Sequence, residues 1–138
     1  MNIKFYQFLK NKINEKIRLL RLGGLILINK INRTPPLIIK EFSINSIKFF
    51  MRLDLSKKTQ RVMYIKSTYE KATTKFIKRF VQRGDIFIDC GAHCGYFSML
   101  AGKLGADVYS FEPSKENFDI LKENVDLNRL ENIEIFKK

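Results

Sequence analysis

Apolar residues recur along this chain in two rhythms. Phe5, Phe8, Leu9, Ile13, Ile17 and Leu20 return at helical spacing and predict a helix over 3–21, although Lys12 and Lys16 fall inside its apolar arc. Gly23-Gly24 ends that pattern. Thr34-Pro35-Pro36 places a linker at 30–36, because a residue before proline avoids the helical region. The segment 37–66 reads as strand: Leu37-Ile38-Ile39, Ile47 to Leu53 and Val62 to Ile65 are β-branched and aromatic runs, predicting a small antiparallel meander. Tyr69, Ala72, Phe76, Ile77, Phe80 and Val81 give one face of a helix over 69–82, with Gly84 as its C-terminal cap.

Beyond Gly84 the pattern becomes βαβαβ. Asp85 to Cys90 is a short, nearly continuous apolar strand, of the kind expected when both faces are covered. A helix over 96–104 closes at Gly105, and Asp107 to Phe111 is the next strand. Ser114 is a helix N-cap candidate, Phe118, Leu121 and Val125 mark a stripe running to about Asn128, and Ile133 to Phe136 opens a third strand. The expected architecture is α/β in three segments: 1–36, a basic helix and linker; 37–83, the meander plus a helix; and 84–138, a parallel unit stopping in its third strand.

Charge divides the chain in the same way. Residues 1–80 hold 19 Lys/Arg against 4 Asp/Glu, and residues 81–138 hold 7 against 10, within a net charge of +12. The basic part fits a polyanion or an anionic membrane surface; the plainer alternative is a solubilising lysine-rich face, and nucleic acid is not the expected partner. No apolar run reaches the ~20 residues of a membrane-spanning helix. With only Cys90 and Cys94, a disulfide framework is excluded, and a reducing, cytoplasmic setting is the default, with peripheral membrane contact through the basic helix as its variant.

The chemistry concentrates between 84 and 114. A strand runs into Asp89, Gly91 and Gly95 bracket a tight turn, and a helix opens behind them. Such a turn presents backbone N–H groups and a helix dipole to a ligand. Glu112 ends the following strand, 17 residues beyond Gly95, where a carboxylate can accept from both hydroxyls of a ribose. The dinucleotide fingerprint G-x-G-x-x-G is not met, since the spacing is Gly91-x-x-x-Gly95. Asp89 admits a purely local role, capping the turn. Cys90, His93 and Cys94 also invite a zinc reading, but they are one ligand short of a tetrahedral set, and a cysteine continuing a strand is expected to be buried, so no metal is expected.

The pattern Asp89-x-Gly91-x-x-x-Gly95 with a strand-ending Glu112 resembles the first motif and acidic loop of class I S-adenosylmethionine-dependent methyltransferases. Within them, the stretch from Gly84 to Asn128, with its glycine turn and its Phe111-Glu112-Pro113-Ser114 turn, is similar to the FkbM family over about residues 62–136, and Tyr69-Glu70 matches a pair common there. Cys90 and Cys94 replace the family's usual aliphatic residues, and His93 its frequent asparagine. The resemblance implies a doubly wound Rossmann-like sheet and S-adenosylmethionine as cofactor. It implies cofactor contacts from Glu70, Asp89, Gly91, Ala92, His93, Gly95, Tyr96, Glu112, Pro113 and Ser114, and methyl transfer to a hydroxyl of a sugar or other small molecule. Catalytic residues are not assigned. Because the third strand opens at Ile133 and the sequence stops soon after, the chain is expected to supply one side of the sheet, to transfer no methyl group alone, and to self-associate or need a complementing chain. A non-catalytic cofactor-binding remnant and a basic polyanion-binding module are the alternatives.

Overall fold

The computed structural model describes residues 37–138. The helix over 3–21 and the linker at 30–36 lie outside them. Two strands, β1 (Leu37–Ile44) and β2 (Ile47–Asp54), form an antiparallel hairpin in which Ile44 faces Ile47 across a two-residue turn. Asn45 takes the positive φ (57°) there, a conformation asparagine tolerates better than most residues. Alternation along the strands puts Phe42, Phe49, Met51 and Leu53 on one buried face, where the rings of Phe42 and Phe49 stack at 5.5 Å.

The third meander strand expected at Val62–Ile65 is instead the middle of helix α1 (Lys58–Lys66). Only Val62 and Ile65 of that run are β-branched, it sits among strong helix formers, and burial follows a helical step: Gln60 and Met63 turn inward while Tyr64 and Ile65 face out. Helix α2 (Lys71–Phe80) starts later than 69; of its expected apolar face it buries Ile77, together with Thr74, while Phe76 and Phe80 lie exposed with their rings 4.6 Å apart. Gly84 does not cap this helix, whose C-cap is Val81. It forms the turn into the next strand, donating its N–H to Gly105 O at 3.0 Å.

From there the order is β3 (Ile86–Cys90), α3 (Tyr96–Leu104), β4 (Asp107–Phe111), α4 (Lys115–Asn128) and β5 (Ile133–Phe136). The strands form a parallel sheet in the order β3-β4-β5, with Phe87 beside Val108 and Val108 beside Ile133. One face, carrying Phe87, Asp89, Val108, Ser110 and Ile133, packs under α3 and α4. The hairpin lies against the same two helices through β2, so the segments 37–83 and 84–138 share a core within one compact unit.

The expectation that β3 is covered on both faces does not hold among the described residues. Ile86 and Ile88 are 71% and 60% exposed, and β3 pairs with β4 alone. Cys90 shares their outward face and is exposed, whereas Cys94 is buried, so only one of the two cysteines belongs to the packed junction. The period of two decides this: once Asp89 turns toward α3, its neighbours Ile88 and Cys90 must point away.

Candidate functional site

The site lies at the carboxyl ends of β3 and β4, where adjacent parallel strands release their chains side by side. Gly91 (φ 80°) leaves β3, and the N–H groups of Gly91 and Ala92 both donate to Phe111 O, at 2.8 and 3.0 Å. The turn closes when Gly95 N–H bonds Ala92 O at 2.8 Å, and Gly95 (φ 88°) is the N-cap of α3. Both glycines occupy the left-handed region, as their spacing predicts. They differ in surroundings. A Cβ on Gly91 would meet nothing within 4 Å, so that side of the turn is open, whereas a Cβ on Gly95 would stand 2.5 Å from Leu121 Cδ1.

Glu112 joins the second strand to this turn. Its Oε2 accepts the N–H of His93 at 2.8 Å, and its Oε1 accepts the N–H of Ser114 at 2.9 Å and Asn117 Nδ2 at 3.4 Å. At 5% exposure it is a buried carboxylate with most of its acceptor capacity engaged. The turn's amides are therefore largely satisfied within the protein and not free for a ligand, a correction to the sequence reading; buried N–H groups need partners, and the end of β4 is near enough to supply them. Ser114 is the N-cap of α4 by its backbone and makes no side-chain cap bond; Pro113 lies between it and Glu112.

Asp89 points beneath the turn. Its Oδ2 accepts Ser98 Oγ at 2.6 Å, and Ser98 Oγ accepts Ser110 Oγ at 2.9 Å, a buried relay from β4 through α3 to β3. Burial pushes the Asp89 carboxyl above the usual range, and the Ser98 hydrogen bonds oppose that rise. His93 carries a positive φ (54°) and a buried Nδ1 with no hydrogen-bond partner. Burial holds its pKa below the ordinary value, against the pull of Glu112 and helped by Lys57, so the ring is neutral near pH 7. Lys57 itself is ion-paired with Glu116 in the first turn of α4.

The structure thus gathers Asp89, Gly91, Ala92, His93, Gly95, Glu112, Pro113 and Ser114 in one place. Tyr96 is close by but is a core residue, fully buried, its ring edge-on to Phe42, Phe49 and Tyr69. Glu70 is exposed at the N-cap of α2, where its carboxylate accepts the Thr73 hydroxyl at 3.1 Å. Sequence reasoning missed Ser98, Ser110 and Asn124. The serines stand one per element with no local pattern to flag them. Asn124 sits in the buried stripe of α4, where an asparagine signals a backbone to be satisfied. A metal does not fit: burial pushes the Cys94 thiol up to about 12, its sulfur lies 3.7 Å from Met63 Sδ, and Cys90 faces the opposite side. Among the described residues no group of three His, Cys, Asp or Glu is placed to hold an ion.

Fold and site together define the Rossmann-like unit of a methyltransferase fold, with a glycine turn and an acidic strand end at the carboxyl ends of neighbouring parallel strands. Over 76% of its length the chain superposes on the structure of TYW2 from M. jannaschii in complex with AdoMet, with a TM-score of 0.53 at 20% identity and 44% of that chain covered. It also superposes on a SAM-dependent methyltransferase from Agrobacterium tumefaciens, with a TM-score of 0.50 at 21% identity over 72% of this chain and 32% of that one. In sequence it is 41% identical over 68 residues to a ribosomal protein L11 methyltransferase from Caldanaerobacter subterraneus subsp. tengcongensis, a match covering 49% of this chain and 22% of that protein. The chain therefore spans about a fifth of the length of the curated relatives it matches. No family model matches it.

Proposed function

We propose that this chain forms the S-adenosylmethionine-binding part of a methyltransferase. The observation that carries this reading is the hydrogen bond from the His93 N–H to Glu112, which fixes an acidic strand end against a glycine turn on the adjacent parallel strand. The residues fit the cofactor. Glu112 Oε2, which takes one protein donor, keeps a site for a ribose hydroxyl, the open side of Gly91 lets a ligand approach the backbone closely, and Asp89 beneath the turn supports the cofactor's amino-acid end. The bound cofactor would supply a methyl group on a sulfonium, and displacement there depends above all on alignment. The contribution of these residues is to orient it: Glu112 the ribose, the 91–95 turn the chain leading to the sulfonium.

Two acceptor classes divide the finer reading. The Glu112-Pro113-Ser114 turn and the Tyr69-Glu70 pair favour an FkbM-type enzyme methylating a hydroxyl of a sugar or other small molecule. The relatives named for ribosomal protein L11 act on a protein, and that is the competing acceptor. A second functional reading is a cofactor-binding module without turnover, completed by another copy or a complementing chain. What favours it is the apolar outward face of β3, whose pairing among the described residues is with β4 alone, a surface of the kind that attracts another strand.

Calorimetry with S-adenosylhomocysteine tests binding, and labelled S-adenosylmethionine offered with glycan and protein fractions tests transfer. Saturable binding with label in glycan supports the first reading, and label in protein replaces the acceptor. Binding without turnover supports the module. Absence of binding overturns the cofactor assignment.

A further inference from the structure

Helix α4 carries two buried asparagines one turn apart, and both address the backbone of β2. Asn124 Oδ1 accepts the Arg52 N–H at 2.6 Å, and its Nδ2 donates to Arg52 O at 3.2 Å. Asn128 repeats the arrangement on Phe50, accepting its N–H at 2.8 Å and donating to its O at 2.6 Å. Phe50 and Arg52 are alternate residues, so their N–H and C=O groups point to the edge of β2 that β1 does not pair. The two amides stand in for a neighbouring strand and satisfy that edge.

The asparagines differ in what the rest of the amide meets. Asn124 Nδ2 also donates to Cys94 O at 2.8 Å, within the glycine turn, whereas Asn128 Nδ2 donates to Asn124 O at 2.7 Å, within its own helix, and lies 3.6 Å from Met99 Sδ on α3. Cys94 O belongs to the peptide plane that leads into Gly95. Rotating that plane changes φ of Gly95 and swings the Gly95 N–H away from Ala92 O. Leu121, three residues before Asn124 on the same helix face, stands against Gly95 from below. One face of α4 therefore supplies both the floor of the turn and the bond that orients it.

We propose that Asn124 is a positioning residue of the glycine turn, and that through it the β1–β2 hairpin becomes a structural part of the cofactor site. The cofactor half of this statement rests on the reading of the turn as an S-adenosylmethionine site. Only an amide serves here, because one acceptor and two donors are all engaged. A carboxylate lacks the donors, and an apolar side chain leaves the Cys94 carbonyl and the Arg52 groups without partners.

Asn128 supplies the matched control, since it makes the same pair of bonds to β2 and none to the turn. The test uses the full chain carrying Cys90→Ser, so that Cys94 is the single thiol, with Asn124→Ala and Asn128→Ala made separately. Three quantities are measured on each: the urea midpoint, the rate at which an aromatic disulfide labels the buried Cys94, and S-adenosylhomocysteine affinity. The expected result is similar losses of stability, with roughly tenfold faster labelling and roughly tenfold weaker binding in Asn124→Ala alone, the scale of one buried hydrogen bond. Should an alanine variant not fold, Asn124→Asp and Asn128→Asp give the same contrast, keeping size and the acceptor while removing the donors. Equal labelling rates in the matched pair overturn the proposal. A wild-type chain that binds no cofactor but still shows the labelling contrast keeps Asn124 as the turn's anchor and overturns the cofactor reading instead.

Discussion

Gly95→Ala and Gly91→Ala form a pair in which only one variable differs. Both residues have φ between 80 and 88°, so alanine at either pays the left-handed penalty of about 1–2 kcal/mol. Both substitutions also restrict the unfolded chain, which returns about 0.4–1 kcal/mol in each case. The surroundings separate them. At Gly91 the new methyl meets nothing within 4 Å; at Gly95 it lands 2.5 Å from Leu121 Cδ1 and 3.5 Å from Met99 Cε, in the core between α3 and α4. Leu121 and Met99 are fully buried, so relief requires neighbouring side chains to leave their rotamers, an overpacking cost of about 1–3 kcal/mol. The expected outcome is that Gly95→Ala is less stable than Gly91→Ala by about 1–3 kcal/mol. Urea unfolding followed by far-UV circular dichroism reads this as a midpoint lower by about 1 M, given slopes of about 1–3 kcal/mol/M for small domains. Equal midpoints, or a lower one for Gly91→Ala, would refute the claim that Gly95 is required by packing as well as by conformation.

Other outcomes follow from the charged and polar groups of the site. His93 is the only histidine in the chain, so its imidazole signals can be followed alone by NMR; they should titrate below the ordinary pKa of about 6.5, and a value at or above it would contradict the buried placement. The unfolded chain then takes up this proton first as pH falls, so the stability His93 contributes is present above pH ~6.5 and is lost on acidification through the folded pKa. Asp89 has the opposite sign. Its folded pKa is raised, chiefly by burial, so its contribution is full below ~3.9 and is lost as pH rises through the folded value. Stability of the wild type relative to Asp89→Asn should therefore decline as pH rises from about 4, and a flat difference would reject the raised carboxyl. Glu112→Ala should weaken S-adenosylhomocysteine binding by about 1.5–3 kcal/mol in calorimetry, and unchanged affinity would remove Glu112 from the ribose role.

The parallel unit was legible in the sequence because its signals are local and agree with one another. Tyr96–Leu104 and Asp107–Phe111 begin and end where the pattern places them, since Gly95 and Gly105 punctuate the helix and the strand has only five residues between Ala106 and Glu112-Pro113. The turn and Glu112 could be joined because adjacent parallel strands bring their carboxyl ends together. What failed was decided by distant partners. Val62 to Ile65 has strand-like composition, but Met63 packs on Cys94 and Gln60 receives the Asp54 N–H, contacts that require a helical step. Phe76 and Phe80 read as part of the core stripe with Ile77, yet the core takes Ile77 and Thr74 and leaves the two rings out, a choice set by which side of α2 meets α3. The serine relay and Asn124 left no trace because each lies on a different element from its partners. Neither did the engagement of Glu112 with His93 and Ser114, which depends on how deeply the strand end is buried.

The central claim is that the turn between β3 and α3, facing Glu112, binds S-adenosylmethionine. Backbone amide NMR of the chain titrated with S-adenosylmethionine tests it most directly, because it reports the place as well as the affinity. Saturable shifts should concentrate at Gly91, Ala92, His93, Gly95, Glu112 and Ser114, while the hairpin turn at Asn45-Ser46 stays still. Unmoved turn signals at millimolar cofactor, or shifts centred elsewhere on the chain, would contradict the account.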